Sequence, residues 1–367
     1  MRSRALTSAR GGMRILVINC GSATLKYALY ETTGARLDRL ASAILTWEGG
    51  YAATIERALA ALPLPPDAIV HRIVHGGERF MAPVAIDDDV VRHLAELVPL
   101  APLHNAVALE GVAATRGLGV PQVAVFDTAF FADLPARASR YAVPAAPGVR
   151  RYGFHGWSHR SVTERCAALT GVAEPTLVSL HLGSGCSAAA ILRGRPADVS
   201  MGYTPLEGLV MATRPGDVDP GLLLHMMQGG ADAGRLEHLL NHESGLMALA
   251  GTGDMRELLA REDPRARDAI DLFCYRIVKY VGAYLAALEG RAEAIVFTGG
   301  VGHGSPEIRR RVCEALGWTG LRLDAGRNAR GEERISRDDT RLAAFALQSD
   351  EEGAIAAATQ GMFSLPS

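Results

Sequence analysis

Short runs of consecutive apolar residues, broken by clusters of Gly, Ser and Thr, alternate along this chain with segments whose apolar positions return every three or four residues. Arg14 to Asn19 (RILVIN) is a β-branched run that predicts a buried strand. After Cys20-Gly21-Ser22-Ala23-Thr24, the run Leu25 to Tyr30 (LKYALY) predicts a second strand, so the pair reads as a hairpin closed by small residues. The arrangement returns about 160 residues later: Thr176 to Leu182 (TLVSLHL), the turn Gly183-Ser184-Gly185-Cys186-Ser187, then Ala188 to Leu192 (AAAIL). Two such copies predict a duplicated domain. A third buried strand, Ala294 to Phe297 (AIVF), runs into Thr298-Gly299-Gly300-Val301-Gly302. Helical spacing appears at Arg92 to Leu100, Ser158 to Leu169 and Pro264 to Leu288. In the last of these, Gly282, Ala283, Ala286 and Ala287 suit close helix packing or a subunit interface. Pro144-Ala-Ala-Pro147-Gly148 is the best boundary between halves. The pattern predicts an α/β protein of two similar halves with a cleft between them.

Length and composition narrow the function. The 367 residues suffice for two domains with separate cores. Charge is nearly balanced, 38 Lys+Arg against 40 Asp+Glu, which argues against a nucleic-acid binder. Cys20, Cys166, Cys186, Cys274 and Cys313 are odd in number and scattered, so neither a disulfide framework nor a structural zinc site is expected. No apolar run approaches the roughly 18 residues that cross a bilayer. The reading is a protein of a reducing, cytoplasmic compartment that acts on small molecules, with no membrane partner. The first twelve residues, MRSRALTSARGG, hold three Arg and no apolar stretch, and are expected to be a disordered extension.

The small-residue turns are the first chemical clue. A turn of Gly and hydroxyl residues between strands can aim successive N–H groups at an anion, and glycine lets phosphate oxygens approach the backbone. Two copies, together with Thr298-Gly299-Gly300-Val301-Gly302, suit a nucleotide. The second clue is a set of charged residues in apolar or Gly-rich surroundings. These are Arg72 and His75 in HRIVHGGE, His104 in APLHN, Asp127 closing VAVFD, His155 and His159 in RRYGFHGWSH, Arg214 in ATRPGDVDP, and Asp254 and Arg256 in GTGDMREL. Several follow strand-like runs, where open α/β sheets gather ligands.

These segments, in this order, resemble the acetate kinase family (acetate/propionate kinases), within the superfamily of sugar kinases, Hsp70 and actin. The resemblance runs from Met13 to about Gln360, and its most specific stretches are RRYGFHGWSH and SMGYTPLEGLVMATRPGDVDPG. It implies two ribonuclease H-like domains: residues 13–148, joined by a returning segment at about 350–367, and residues 149–349, which would hold the nucleotide site and a homodimer interface. It also implies Mg²⁺-dependent phosphoryl transfer between ATP and a short-chain carboxylate. An ionised carboxylate needs no general base; what it needs is alignment and charge neutralisation.

By the resemblance, Arg72 and Arg214 hold the carboxylate and the moving phosphoryl group. His155 donates to phosphoryl oxygens with His104 nearby, and Asp127 orients Arg214 or the metal. Asn19 and Glu351 are the Mg²⁺-site residues. Ser22, Thr24 and Lys26 line the first phosphate turn, and His181, Gly183, Ser184 and Gly185 the second. Asp254, Met255 and Arg256 flank the adenosine, with Gly299, Gly300, Gly302, His303 and Gly304 beneath it. Val74, Leu103, Phe154 and Pro205 form a small apolar pocket for the substrate's methyl or ethyl group.

The chain departs from the family pattern in four places. Ser184 and Cys186 stand where HLGNGGS is usual, His303-Gly304 where GGIGEN is usual, and Trp157 where GFHGTSH has Thr. The stretch between Ala41 and Pro65 is short. These leave open acetate against propionate or a longer acid such as butyrate, and ATP against pyrophosphate. A sugar or polyol kinase, with Asp127 as base, and a non-catalytic nucleotide-binding regulator are the other readings.

Overall fold

The computed structural model describes residues 12–21, 24–34, 36–48, 50–144 and 146–363, apart from the side chain of Leu103. Residues 1–11, within the expected extension, and Ser22 of the first phosphate turn lie outside the described residues. The chain divides into two compact units, one of residues up to Ala129 with those from Glu351 onward, the other Phe130–Asp350. This division falls ahead of Pro144–Gly148. The reason is packing: Phe131 and Leu134 are buried in the core formed by Val162, Leu177, Ile191 and Val296 of the second unit, so the chain has already changed allegiance.

In the first unit the order is β1 (Met13–Cys20), β2 (Thr24–Thr33), β3 (Arg36–Thr46), α1 (Tyr51–Ala60), β4 (Ala68–Ile73), β5 (Val84–Ala85), α2 (Asp88–Glu96), α3 (Pro102–Thr115) and β6 (Gln122–Phe126). The second unit holds α4 (Ala136–Ser139), α5 (Gly156–Thr170), β7 (Leu177–Leu182), β8 (Cys186–Leu192), β9 (Arg195–Val199), α6 (Pro220–Gln228), α7 (Ala233–His242), α8 (Gly245–Ala250), α9 (Met255–Ala260), α10 (Pro264–Ala287), β10 (Ala294–Thr298), α11 (Gly299–Gly304), α12 (Pro306–Ala315), α13 (Ala325–Arg330) and β11 (Ala343–Ala346). The last helix, α14 (Glu351–Thr359), returns to the first unit, where it packs on β1, β2 and β4.

The two sheets share one plan. The first runs β3-β2-β1-β4-β6 with β5 added at its edge; the second runs β9-β8-β7-β10-β11. In each, the first strand pairs antiparallel with the second and parallel with the fourth (β1 with β2 and β4, β7 with β8 and β10). The duplicated strand–turn–strand pattern is therefore the centre of each sheet. The hairpins close at Cys20↔Leu25 and Leu182↔Cys186. Burial on both faces of β1 and β7 accounts for their unbroken apolar runs. Leu16, Ile18 and Ile69 pack one core and Ile73, Ala124 and Phe126 another.

Two expectations shift. The helical pattern at Arg92–Leu100 is α2, which starts at Asp88 because Asp87 caps it, accepting from Val90 N at 2.8 Å. It stops at Glu96 and passes into a 3₁₀ turn at Val98–Leu100, as Pro99 disfavours α backbone in the residue before it. Thr298–Gly302 is not a third loop. Gly299 (φ 78°) turns the chain straight out of β10 into α11, and a Cβ there would lie 2.5 Å from the Leu182 carbonyl oxygen. Among the described residues no helix is long and apolar enough to cross a membrane.

Candidate active site

Adjacent parallel strands deliver the chemistry of the first unit. Asn19 near the end of β1 and Arg72 on β4 are strand neighbours, by the pairing Ile18↔His71, and Asp127 follows β6 directly. Arg72 donates from Nε and Nη2 to the two Asp127 oxygens at 2.9 and 2.6 Å, a fork that only a planar guanidinium can fill. Its Nη1 donates to Asn19 Oδ1 at 2.9 Å and lies 3.4 Å from Glu351, which opens α14. Asn19 donates in turn to Glu352 at 3.1 Å. Burial would push the Arg72 guanidinium pKa down, but the carboxyl groups of Asp127, Glu351 and Glu352 more than reverse this and raise it. Asp127, expected to orient Arg214 or the metal, forms a fork with Arg72 because β4 and β6 are neighbours.

In the second unit the polar face of β7 does the same work. Ser179 and His181 alternate along an otherwise apolar strand, and His181 pairs across to Ser187 on β8. α5 lies over this face, and His155 precedes it in the left-handed region (φ 56°, ψ 31°), a conformation uncommon for a non-glycine residue. The His155 and His181 rings stack with centroids 4.1 Å apart. Ser158 Oγ lies 2.7 Å from His181 Nδ1, and Ser187 Oγ lies 2.9 Å from His155 Nδ1.

Arg214 completes this cluster. Its Nη1 donates to the Pro205 carbonyl at 2.9 Å, and among the described residues it makes no ion pair. Burial, without a carboxylate to offset it, pulls the Arg214 guanidinium below its ordinary pKa. Gly185 explains the space in front of it: a methyl added there would lie 2.6 Å from Arg214 Nη2 and 3.4 Å from His155 Nε2. Arg214 and His155 Nε2 thus face a spot that only a glycine leaves open, between a guanidinium without a counter-ion and an imidazole edge. That is a cradle for a small anion.

Beside the same turn is a cavity of about 880 Å³, within the range of small-molecule sites. It is lined by Gly183, Ser184, Asp254, Met255, Arg256, Gly300 and Gly304, all expected at a nucleotide, and by Ala212, Leu259, Val301, Pro306 and Glu307, which were not. Gly299, Gly302 and His303 do not line it. Gly302 is the buried residue of α11, and its carbonyl with that of His303 accepts from the wholly buried Arg309. Asp254 caps α9, accepts from Arg256 N at 2.8 Å and holds the Arg256 guanidinium at 2.7 Å; that guanidinium first, and the backbone bond second, lower its carboxyl to about 2. Glu307 is lowered to about 2 by Arg310 and Arg311.

The remaining expected residues are spread over both units. Thr24 and Lys26 begin β2, with Lys26 exposed; Val74 and His104 are half-buried. Phe154 is only 1% exposed and belongs to the core of its own unit, while Pro205 contributes its carbonyl to Arg214. Leu103's side chain is outside the description. The residues missed from sequence, Ser158, Ser179, Ser187 and Glu352, share a signal that could have found most of them: polar positions inside otherwise apolar strands and helices. His159, noted in the sequence beside His155, joins them here.

The chain matches the model of the Acetokinase family over residues 52–357. It is 41% identical to the acetate kinase of Syntrophobacter fumaroxidans over 95% of this chain and 96% of that one. Among solved structures, the propionate kinase of Francisella tularensis superposes with a TM-score of 0.86 at 33% identity, covering 95% of this chain and 99% of that one. The acetate kinase of Porphyromonas gingivalis does so with 0.84 at 36%, covering 96% and 100%. With the family match, the identity to curated relatives and the likeness to solved structures in agreement, this chain belongs to the acetokinase family.

Proposed function

We propose that this protein is an acetate kinase, moving the γ-phosphoryl group of ATP reversibly to acetate, with propionate as a second acceptor. The observation that carries the reading is Arg214 beside His155 at the Gly185 cradle, a cationic pocket to which no carboxylate among the described residues is ion-paired. A carboxylate oxygen attacks the γ-phosphorus in line. One P–O bond forms as the bridging bond to ADP breaks, and negative charge spreads over the three equatorial oxygens. Arg214 and the His155 Nε2 edge bear on those oxygens, each such contact worth a few kcal/mol in the transition state. Arg72 is held rigid by Asp127 and Asn19 to take the substrate carboxylate, and Val74 and His104 are half-buried in the same unit. No group acts as base, because the nucleophile is ionised at neutral pH.

ATP rather than pyrophosphate is favoured by the cavity itself, which offers Met255, Leu259, Val301 and Pro306 to a base despite His303 and Gly304. Ser22, Thr24 and Lys26, and His181, Gly183, Ser184 and Gly185, serve the phosphates; Asp254 and Arg256 flank the ribose side. Asn19 and Glu351 suit Mg²⁺, an ion that takes one or two carboxylates and fills its shell with water and substrate phosphate. Three carboxyl groups around the single Arg72 guanidinium leave room for a second cation. Bound there, Mg²⁺ would supply charge neutralisation to the phosphates. Five buried, free thiols suit a reducing cytoplasm. The exposed Leu222, Leu224 and Met227 of α6 suit a homodimer contact in the second unit.

Acetyl phosphate and Mg²⁺ should be consumed with ADP and yield equal ATP. Loss only with orthophosphate, or no loss with any acceptor, would overturn the reading.

A further inference from the structure

The histidine beside the cradle is one end of a buried chain. His155 Nδ1 lies 2.9 Å from Ser187 Oγ, Ser187 Oγ lies 2.7 Å from His159 Nε2, and His159 Nδ1 lies 2.8 Å from Ser179 Oγ. Ser179, Ser187 and His159 are wholly shielded from solvent. This side chain row is unused by the transfer step as described, yet it touches the one ring nitrogen of His155 that faces away from the phosphoryl group.

We propose that His159 and Ser187 are positioning residues that set the tautomer of His155, so that the neutral ring presents an Nε2–H to the phosphoryl oxygens. The argument is proton counting. The Ser187 hydroxyl carries one hydrogen between two imidazole nitrogens, so it can donate to one and must accept from the other. If Ser187 donates to His155 Nδ1, then His159 Nε2 carries the hydrogen, His159 Nδ1 accepts from Ser179, and the His155 hydrogen sits on Nε2. In the opposite setting every bond reverses and His155 turns a bare lone pair toward an anion, which is repulsive. Burial, and then the nearby His181, hold the His159 pKa far below the ordinary range, so His159 stays neutral with one hydrogen to place. The strained backbone at His155 keeps the ring end of the row from drifting.

The proposal rests on the phosphoryl-transfer reading, but its first test does not. In wild-type protein labelled with ¹⁵N-histidine and bound to Mg²⁺ and ADP, His155 should show a pyrrole-like Nε2 and a pyridine-like Nδ1. A protonated Nδ1 with a bare Nε2 overturns the proposal whatever the turnover, whereas absent turnover with this signature intact would condemn the transfer reading alone. In Ser187→Ala, kcat should fall at least about tenfold, short of the roughly 10²–10³-fold cost of deleting a donor outright. KM values should stay within about threefold. Ser187→Thr, which keeps the hydroxyl, should recover most of kcat. Wild-type kcat in Ser187→Ala, or Thr behaving as Ala in a folded protein, would overturn it.

Discussion

Arg72 and Arg214 are the same residue type in two different electrostatic settings. Arg72 is saturated, with Asp127, Asn19 and Glu351 fixing its plane; Arg214 has a carbonyl and no acid. Both Asp127 oxygens are engaged by Arg72, an arrangement that suits orienting rather than proton abstraction. Asp127→Asn should therefore lower kcat/KM at every pH by about 10²-fold without altering the shape of the pH profile, the scale of a misplaced binding group. A profile that loses its acidic limb instead would make Asp127 a base and favour an alcohol acceptor. The same change breaks a buried pair and should destabilise the fold by about 3–5 kcal/mol, read as a lower urea midpoint. At the other arginine, Gly185→Ala places a methyl against Nη2. We expect a loss of about 10²-fold in kcat with an unchanged circular dichroism spectrum. Full activity would show that the cradle is not where the phosphoryl group passes.

At the scale of elements, strands and their ends were readable because both signals are local. Consecutive β-branched residues mark a strand, and small residues mark where it turns. Helix edges were less so: α2 depends on a cap at Asp87 and a stop at Pro99, which lie outside its apolar repeat. Helix α10 shows the opposite case, ending within a residue of its expected range because Pro264 opens it and the buried row Ala266, Ile270, Phe273, Ile277 and Val281 runs its length. The sequence directed attention to Gly282–Ala287 for a subunit contact, where Ala283, Ala286 and Ala287 are exposed, and α6 offers a second exposed apolar surface. Leu222, Leu224 and Met227 there are 52%, 60% and 49% exposed, and no residue of the helix is buried. A run of exposed leucines marks an interaction face. Leu224→Glu should convert a sedimenting dimer to monomer at micromolar concentration while leaving each unit folded; an unchanged sedimentation coefficient would move the contact elsewhere.

Across the whole molecule, buried histidines tie stability to pH. Burial pushes His71 to about 4 in the folded chain, against 6.5 for an exposed imidazole, a shift that the nearby Gln122 only partly opposes. Between those values the unfolded chain holds the extra proton, so stability falls as pH drops from about 6.5 toward 4, by up to roughly 3 kcal/mol from this group. His159 acts in the same direction in the other unit. The urea midpoint should be clearly lower at pH 5 than at pH 7.5, and His71→Gln should shrink the difference; a midpoint indifferent to pH would refute this assignment.

What the sequence by itself determined was the α/β class, the duplicated hairpin and the family, and it singled out Arg72, Asp127, His155 and Arg214 as candidates for the chemistry. Each rests on short stretches whose pattern or motif is complete within a few residues. What only the tertiary structure decided was partnership. That Asp127 grips Arg72, and that Ser179, His159 and Ser187 stand in one row behind His155, follow from strand order, register and the packing of α5 on β7. Those bring together residues up to 333 positions apart, as with Asn19 and Glu352. A side chain's charge is written in the chain, but its neighbours, and so its pKa and its orientation, follow from which strands lie side by side.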